Sequence, residues 1–483
     1  MAEQKDFIVA IELGSSKVTG IAGQKQPDGS ISVLAMVKEP STTFIRKGVV
    51  YNIDKTSQCL QDIIKKLEAQ LATRITQVFV GVGGQSLRSV RNTISRELPP
   101  DTIISQNMVT ELVDEDWNVN YDDQKILEVA EQEYRVDTQL QLDPIGIRAN
   151  KLEGNFLNIL QRVSFFQNLN HCFEQAAINV ADMYLAPLAL ADAVLTETER
   201  RSGCVLVDIG AGTTTVSVYS KNVLRHLAVI PLGSANVSKD LESLSIDERD
   251  AEQMKLKYAS AFTENNDIDT TLKYSVTPDH QIDSRNFIEV VEARMEEIIE
   301  NVRYQIPSEF YDKLHGGIIL TGGGAMMKDI EKAFSIHTHI DKIRVARTVN
   351  FTVNSSIDAV KQQNATLNTV LGLLAKGNIN CAGKAINNNL FDDSNDDDVP
   401  QKPERKPRSK TETDPGVILT QQEEQKAAEE ARRKKEEEER LAREAEEQRL
   451  REEAEERRRN SKWNKFKRGA ENLWHNIVSA PDE

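Results

Sequence analysis

Several features that define large protein classes are absent from this sequence or scarce in it. The chain of 483 residues has four cysteines, far apart and without a CxxC pair, which excludes a disulfide framework or zinc site and indicates reduced thiols in a cytosolic protein. No apolar run reaches the roughly 18 residues of a membrane span, and no basic segment leads into an apolar run near Met1, so we expect no signal peptide. The formal net charge of −16 argues against general nucleic-acid binding, which needs a basic face.

What the sequence does have is a strand-turn-strand motif that occurs twice, at residues 7–22 and 205–219. Each copy is an apolar strand, an acidic residue (Glu12 or Asp208), a turn of glycine and hydroxyl residues, and a second strand. The turn can present N–H and hydroxyl groups to a phosphate because glycine lets the main chain come close. The acidic residue suits Mg²⁺ bound through water. One copy would be an ordinary hairpin, whereas two copies predict two halves that close on one nucleotide.

A third glycine cluster follows at residues 317–326, where an apolar strand runs into Gly322, Gly323 and Gly324. Such a turn leaves room for a purine or ribose against bare backbone. In this order and spacing, the three motifs resemble the ATPase domain of the actin superfamily. The resemblance implies an α/β fold of the actin-like, ribonuclease H-like duplicated type.

Changes of composition and pattern divide the chain into domains. We predict an actin-like ATPase domain at 1–383, with its first half at 1–200 and its second at 201–383. Within the first half the pattern breaks at Pro99-Pro100 and an acidic stretch, which indicates an inserted subdomain at 85–161. Apolar residues recur at helical spacing, and the predicted helices are 57–72, 167–181, 287–302 and 367–374.

Beyond residue 383 the globular composition ends. Residues 384–420 are polar and contain prolines, so they bury too little to fold and are interpreted as a disordered linker. Residues 421–459 are almost entirely charged residues, glutamine and alanine, with opposite charges three or four apart, which favours a solvated charged helix. Disorder and a weak self-association helix remain as alternatives, since Leu441 and Leu450 are too few for a coiled-coil seam.

The final segment, 460–480, has the pattern of an amphipathic membrane-targeting helix. Its apolar residues recur at steps of three and four, and its basic residues cluster at the start. Aromatic bulk with a basic flank suits an anionic membrane surface, and the alternative is a helix that docks on a protein. The predicted membrane-contacting residues are Trp463, Lys465, Phe466, Lys467, Arg468, Leu473, Trp474 and Ile477.

With nucleotide motifs at one end and a membrane helix at the other, the sequence resembles the FtsA family, actin-like proteins that tie the FtsZ ring to the bacterial membrane. Further short motifs support this resemblance, among them Lys47-Gly48-Val49, Pro144-Ile145-Gly146, Leu224-Arg225-His226 and Ala251-Glu252. It implies a cell division protein that binds ATP and Mg²⁺, self-assembles into filaments and acts at the septum on the cytoplasmic face of the inner membrane. The implied partners are FtsZ, through about 236–306, anionic lipids and other division proteins.

The resemblance also implies roles for individual residues. Asp208 would hold Mg²⁺ through water with Glu12 nearby, while Glu252 and Lys255 would face the ribose or base. The family usually has a Gly-Gly pair followed by a hydroxyl residue. This chain has residues 233–238 at that place, which begin with Gly233-Ser234. The implied nucleotide-binding residues are Gly14, Ser15, Ser16, Lys17, Gly210, Gly212, Thr213, Thr214, Gly233, Glu252, Lys255, Gly322, Gly323 and Gly324.

Catalytic capacity is a separate matter. Related hydrolases place a glutamine or glutamate near the attacking water, on the segment that corresponds to residues 185–191. Here Ala186 precedes Pro187, and a methyl group cannot orient water for phosphoryl transfer. We therefore assign no catalytic residue and expect a weak ATPase at most. A type IV pilus assembly protein and a small-molecule kinase of the same fold are alternatives, but the terminal helix disfavours the first, and no catalytic aspartate can be nominated for the second.

Overall fold

The computed structural model describes residues 6–277, 280–385 and 417–418, all within one compact unit. The predicted charged helix at 421–459 and amphipathic helix at 460–480 lie outside the described residues, as does most of the predicted linker. Among the residues described, no helix combines the length and the apolar composition that a membrane span requires.

Strands and helices alternate along the described chain. The helices are α1 (Ile53–Leu71), α2 (Gln106–Trp117), α3 (Val163–Gln175), α4 (Ala186–Val194), α5 (Glu197–Ser202), α6 (Ala235–Leu241), α7 (Glu248–Tyr258), α8 (Ser284–Gln305), α9 (Ser308–Tyr311), α10 (Ile330–Thr338), α11 (Asp358–Lys361) and α12 (Asn368–Lys376). The strands are β1 (Ile8–Leu13), β2 (Lys17–Lys25), β3 (Ile31–Pro40), β4 (Ile45–Arg46), β5 (Val49–Val50), β6 (Thr73–Ile75), β7 (Val78–Val82), β8 (Arg88–Ile103), β9 (Gln124–Val136), β10 (Gln139–Gln141), β11 (Arg148–Arg162), β12 (Val180–Leu185), β13 (Cys204–Ile209), β14 (Thr214–Ser220), β15 (Val223–Ile230), β16 (Lys273–Thr277), β17 (His280–Asp283), β18 (Gly317–Thr321), β19 (Ile343–Val345), β20 (Val353–Ser355), β21 (Ala382–Ala385) and β22 (Val417–Ile418).

Two large sheets share the same arrangement of five strands. The first has the order β20-β3-β2-β1-β7-β12-β22, and the second has the order β10-β9-β11-β8-β15-β14-β13-β18-β19. In the first sheet the antiparallel strands β1 to β3 are followed by β7 and β12, both parallel to β1. In the second sheet the antiparallel strands β13 to β15 are followed by β18 and β19, which run parallel to β13. This repetition confirms the predicted duplicated α/β fold.

The strands at the centre of each sheet are apolar because both of their faces are covered. In the first half, α1 covers the sheet: its buried residues Leu60, Ile63 and Leu67 recur at helical spacing. The helix lies so close to β2 that a Cβ on Gly20 would be 2.5 Å from Ile63 Cγ2. The side chain of Asn52 caps α1 by accepting a hydrogen bond from the Lys55 N–H at 2.9 Å.

The inserted subdomain comprises β8, α2, β9, β10 and β11. It has a hydrophobic core of its own, in which α2 packs against its sheet through residues such as Leu112 and Phe156. Its sheet joins that of the second half where Arg88 of β8 pairs with Ala228 of β15. The Arg225 guanidinium strengthens this junction with two hydrogen bonds to the Glu133 carboxylate, at 2.7 and 2.9 Å.

One predicted helix ends earlier in the structure, and part of the predicted second half pairs with the first sheet. The helix predicted at 167–181 is α3, which ends at Gln175. Ala177 has a left-handed backbone with a φ of +54°, and the chain then enters β12. The predicted second half, 201–383, includes a segment that returns to the first sheet. Val353 of β20 pairs with Ile31 of β3, and α12 buries its apolar residues in the core of the first half.

Candidate nucleotide-binding site

The two predicted turns have the same local geometry. The Gly14 N–H donates to the Lys17 carbonyl at 3.0 Å, and the Gly210 N–H donates to the Thr213 carbonyl at 2.9 Å. Each turn follows the carboxyl end of the strand that starts its half, β1 or β13. Because both sheets are built in the same way, these two ends present equivalent backbone groups.

The turns meet face to face, one from each half. A Cβ on Gly212 would lie 2.6 Å from Ser15 Oγ and 2.8 Å from Ser15 Cβ. No larger residue fits at Gly212 without a shift of the first turn. Of the other first-turn residues, Ser16 is exposed and Lys17 is partly buried.

Two acidic side chains lie at the same edge, partly exposed. Burial and, to a smaller extent, the charge of Asp208 raise the pKa of Glu12 to about 7, although Lys17 and Lys38 oppose the shift. Burial raises the pKa of Asp208 to about 6. Two neighbouring carboxylates that are poorly solvated gain from a divalent cation, and their hard oxygen atoms are the ligands that Mg²⁺ prefers.

The donor set also indicates how such a cation would be held. Among the described residues, no group of three or more histidine, cysteine, aspartate or glutamate side chains could hold a metal. Mg²⁺ commonly takes one or two carboxylates and completes its shell with water and substrate phosphates. Glu12 and Asp208 fit that arrangement.

Lys38 belongs to this group, although the sequence did not point to it. Thr19 of β2 lies opposite Glu12 on one side and Lys38 on the other, so the three side chains share one face of adjacent strands. The only sequence feature that could have pointed to Lys38 is its place near the end of β3, a strand in which buried and more exposed residues alternate. The pairing register, which no sequence pattern gave, is needed to place it beside Glu12.

The third glycine cluster packs against the end of β13. Gly322 has a φ of +85°, and a Cβ there would lie 2.3 Å from Asp208 Oδ1. A Cβ on Gly324 would lie 2.4 Å from Ile209 Cγ2, whereas one on Gly323 would meet only Thr366 Cγ2 at 3.7 Å. The glycine cluster therefore lies beside Asp208. Of its three residues, Gly323 has the most free space around it.

The segment that begins at Gly233 wraps around the second turn despite its departure from the Gly-Gly pattern. The Ser234 N–H donates to the Gly210 carbonyl at 2.9 Å, and the Ala235 N–H donates to the Ala211 carbonyl at 2.8 Å. A Cβ on Gly233 would lie 2.5 Å from Ala211 O. Gly233 thus needs to be glycine because of this close approach.

Glu252 and Lys255 of α7 lie beside that segment and bind each other. Lys255 Nζ donates to the Glu252 carboxylate at 2.6 Å and to the Ser234 carbonyl at 3.2 Å. Ser238 Oγ donates to the same carboxylate at 2.5 Å. The Lys255 side chain is 7% exposed and that of Glu252 45%, so Glu252 is the accessible member of the pair.

Thr214 lies beneath the second turn. It is fully buried, and its hydroxyl donates to the Leu232 carbonyl at 2.9 Å. It therefore holds the second turn from below, whereas Thr213 is partly exposed. Thr213 belongs to the turn itself, whereas Thr214 is the first residue of β14.

Ala186 lies at the same edge of the first sheet. It begins α4 directly after β12, and a Cβ on Gly83, at the end of β7, would be 3.7 Å from its Cβ. The buried Gln161 donates to the Gly83 carbonyl at 2.9 Å. The predicted membrane-contacting residues, Trp463 to Ile477, lie outside the described residues.

The duplicated sheets with facing turns define an actin-like protein. Among solved structures, the chain is similar to the PilM-PilN type IV pilus biogenesis complex, with a TM-score of 0.53, 14% identity, and coverage of 77% of this chain and 98% of that chain. This likeness shows the fold.

Family models and curated relatives then identify the family. The model described as "Cell division protein FtsA" matches residues 205–367, and "SHS2 domain inserted in FTSA" matches 84–160. The cell division protein FtsA of Porphyromonas gingivalis is 30% identical over 73% of this chain and 76% of its own length. That of Neisseria meningitidis is 32% identical over 70% and 84%, and that of Pseudomonas aeruginosa 31% over 77% and 89%. The chain belongs to the FtsA family of cell division proteins, as its motifs predicted.

Proposed function

We propose that this chain binds ATP with Mg²⁺ between its two halves and tethers FtsZ filaments to the cytoplasmic face of the inner membrane at the division site. The observation that carries the nucleotide part is the meeting of two equivalent turns, at Gly14–Lys17 and 210–213, beside Glu12 and Asp208. Turns of this kind offer N–H groups to phosphate oxygens. The carboxylates beside them suit the cation that accompanies a triphosphate.

Each residue group has a distinct task in this proposal. The backbone of both turns and the hydroxyls of Ser15 and Thr213 donate to the phosphates. Glu12 and Asp208 hold Mg²⁺, which supplies positive charge to the phosphates when bound. Gly322 to Gly324 form a bare surface for the adenosine, and Glu252 is accessible to the ribose.

Turnover is proposed to be slow. Ala186 occupies the place where related hydrolases carry a glutamine or glutamate, and positioning of the attacking water is much of what a protein contributes to this reaction. The nucleotide then acts through its unequal affinity for open and closed halves, and the closed form favours self-assembly. Hydrolysis by clean monomer at about one per second, in the usual range for kinases, would contradict this.

Self-assembly and membrane attachment support each other. A single amphipathic helix binds a membrane only reversibly. Several helices on one filament act together and hold it far longer. We therefore propose that the segment 460–480 attaches assembled chains, while FtsZ binds within about 236–306 and other division proteins join the assembly.

Calorimetric titration of ATP with Mg²⁺ into the full chain tests the nucleotide part. We expect saturable binding by the wild type and at least about a tenfold loss in Asp208→Asn, since a charge-assisted contact contributes about 1.5–3 kcal/mol. Asp312→Asn is the matched control, because Asp312 is exposed and precedes the opposite end of β18. Absence of ATP binding by the wild type at millimolar concentration, or equal binding by Asp208→Asn, would contradict the proposal.

A further inference from the structure

The loop between β4 and β5 touches both turns of the nucleotide site. The Gly48 N–H donates to Ser15 Oγ at 2.8 Å, which joins the loop to the first turn. A Cβ on Gly212 of the second turn would lie 3.5 Å from Lys47 Cα. The Lys47 side chain therefore leaves the backbone at the place where the two halves of the molecule meet.

The backbone of this loop is held in an unusual conformation. Lys47 has a φ of 51° and Gly48 a φ of 71°, both in the left-handed region, which is costly for a residue with a side chain. The Lys47 carbonyl accepts a hydrogen bond from the Gln85 N–H at 2.9 Å. Gly48 packs so closely on Gly84 that a Cβ would lie 2.6 Å from Gly84 Cα. The surroundings thus fix where the Lys47 side chain leaves the backbone.

The ammonium group of Lys47 is available for a ligand. Its neighbour Arg46 is engaged, with its guanidinium 4.0 Å from the centre of the Tyr51 ring. Lys47 is exposed, and within the described part of the chain no carboxylate lies in ion-pair range of it. The other lysines of the site, Lys17 and Lys38, already act on Glu12. A triphosphate beside the turns would bring negative charge within reach of the four-carbon stem of Lys47.

The hydrogen bond from Gly48 also orients the Ser15 hydroxyl. Ser15 Oγ accepts the Gly48 N–H, so its own hydroxyl proton is free to donate away from the loop. The contact with Gly212 lies at the same Oγ atom. Gly48 thereby orients the Ser15 hydroxyl, and Lys47 supplies charge next to it.

We infer that the Lys47-Gly48 loop is a third phosphate-binding element, in which Lys47 binds the outer phosphates of a nucleoside triphosphate. This rests on the proposed function, because it names a further residue of the same site. It assigns Lys47 to the discrimination of triphosphate from shorter nucleotides. Lys47 is a binding residue here and takes no part in bond breaking.

The test is the affinity of the full chain for ATP, ADP and AMP, each with Mg²⁺, in wild type, Lys47→Gln and Lys47→Arg. Lys47→Gln is expected to weaken ATP binding by at least about tenfold, the scale of one charge-assisted contact. The loss should be smaller for ADP and absent for AMP, and Lys47→Arg should restore most of the ATP affinity. Lys65→Gln is the matched control, since Lys65 is an exposed lysine on α1.

Each other outcome has one meaning. Equal ATP affinity of wild type and Lys47→Gln refutes the inference and leaves the proposed function standing. Equal losses for ATP, ADP and AMP also refute it, because they indicate a distorted loop instead of a lost phosphate contact. A wild type that binds none of the three nucleotides refutes the proposed function. The role of Lys47 is then refuted as well, because it depends on that function.

Discussion

Glu12 and Asp208 are placed where a carboxylate is hard to ionise. The pKa of Glu12 is raised to about 7, chiefly by burial and then by Asp208, and that of Asp208 to about 6 by burial. Such side chains weaken a fold and are retained where a ligand compensates for their charge. The same residues that suit a cation therefore give the ligand-free protein a defined response to pH.

The stability of the ligand-free chain is expected to fall as pH rises from about 4.5 to about 7, as far as Glu12 is concerned. The folded state holds the Glu12 proton more tightly than the unfolded state, so raising the pH favours unfolding. Glu12→Gln removes this dependence. Its melting temperature in the presence of a chelator should match wild type near pH 4.5 and exceed it increasingly up to pH 7 and above.

Glu242→Gln is the control for this series, because Glu242 is exposed at the end of α6. Its melting temperature should differ from that of wild type by the same amount at every pH. A Glu12→Gln variant that is no more stable than wild type at pH 8 would contradict the account of this carboxylate.

At the scale of elements, close backbone packing connects the first turn to the base of the inserted subdomain. Gly48 lies between Ser15, whose Oγ accepts its N–H, and Gly84, which packs on it. Gly84 is followed by β8, the first strand of the subdomain, and Gln161 of β11 binds Gly83 at the exit. Direct contacts therefore connect Ser15 to the place where the chain enters and leaves the subdomain.

Replacement of Gly48 by alanine tests how strongly this packing stabilises the fold. A left-handed residue with a side chain costs about 1–2 kcal/mol, and overpacking adds about 1–3 kcal/mol, so Gly48→Ala should lower the free energy of unfolding by roughly 2–5 kcal/mol in urea. Gly29→Ala is the matched control: its φ is also positive, at +82°, but a Cβ there meets nothing within 4 Å. It should show only the first cost, and equal losses in both variants would contradict the packing.

The sequence predicted those elements well that depend on residues close together in the chain. Both turns follow from an acidic residue and a glycine within a few positions, and α8 follows from apolar residues at helical spacing. Lys38 could not be placed beside Glu12, because the register of β2 and β3 shifts between Ala22 and Gly23 and no local pattern encodes that shift. The early end of α3 was missed for a related reason: Ala177, in a left-handed conformation, is an ordinary helix former.

At the scale of the whole molecule, the two halves are joined on the side where the chain crosses between them. The Arg344 guanidinium of β19 donates to the Glu199 carboxylate of α5 at 2.6 and 2.9 Å and to the Val194 carbonyl at 2.9 Å. The Asn350 N–H donates to the Ala193 carbonyl at 2.7 Å. These bonds fix one side of the molecule, and the facing turns with their carboxylates form the other connection.

The duplicated motif predicted two halves, yet the return of the chain to the first half was not visible in it. Residues from Val353 onward join the first sheet and its core because the apolar face of α12 covers β1 and β2. A helix with one apolar face has no preferred sheet in the sequence alone. Its partner is decided by which sheet surface is left uncovered.

Flotation of FtsZ with liposomes that contain anionic lipid, in the presence of the full chain, ATP and Mg²⁺, tests the proposed tether most directly. FtsZ should float with the intact chain, and it should remain in the bottom fraction when residues 460–483 are removed or when Trp463 and Trp474 are both replaced by glutamate, while ATP binding persists. FtsZ that floats equally well with the truncated chain, or that stays at the bottom although the intact chain floats and binds ATP, would contradict the account.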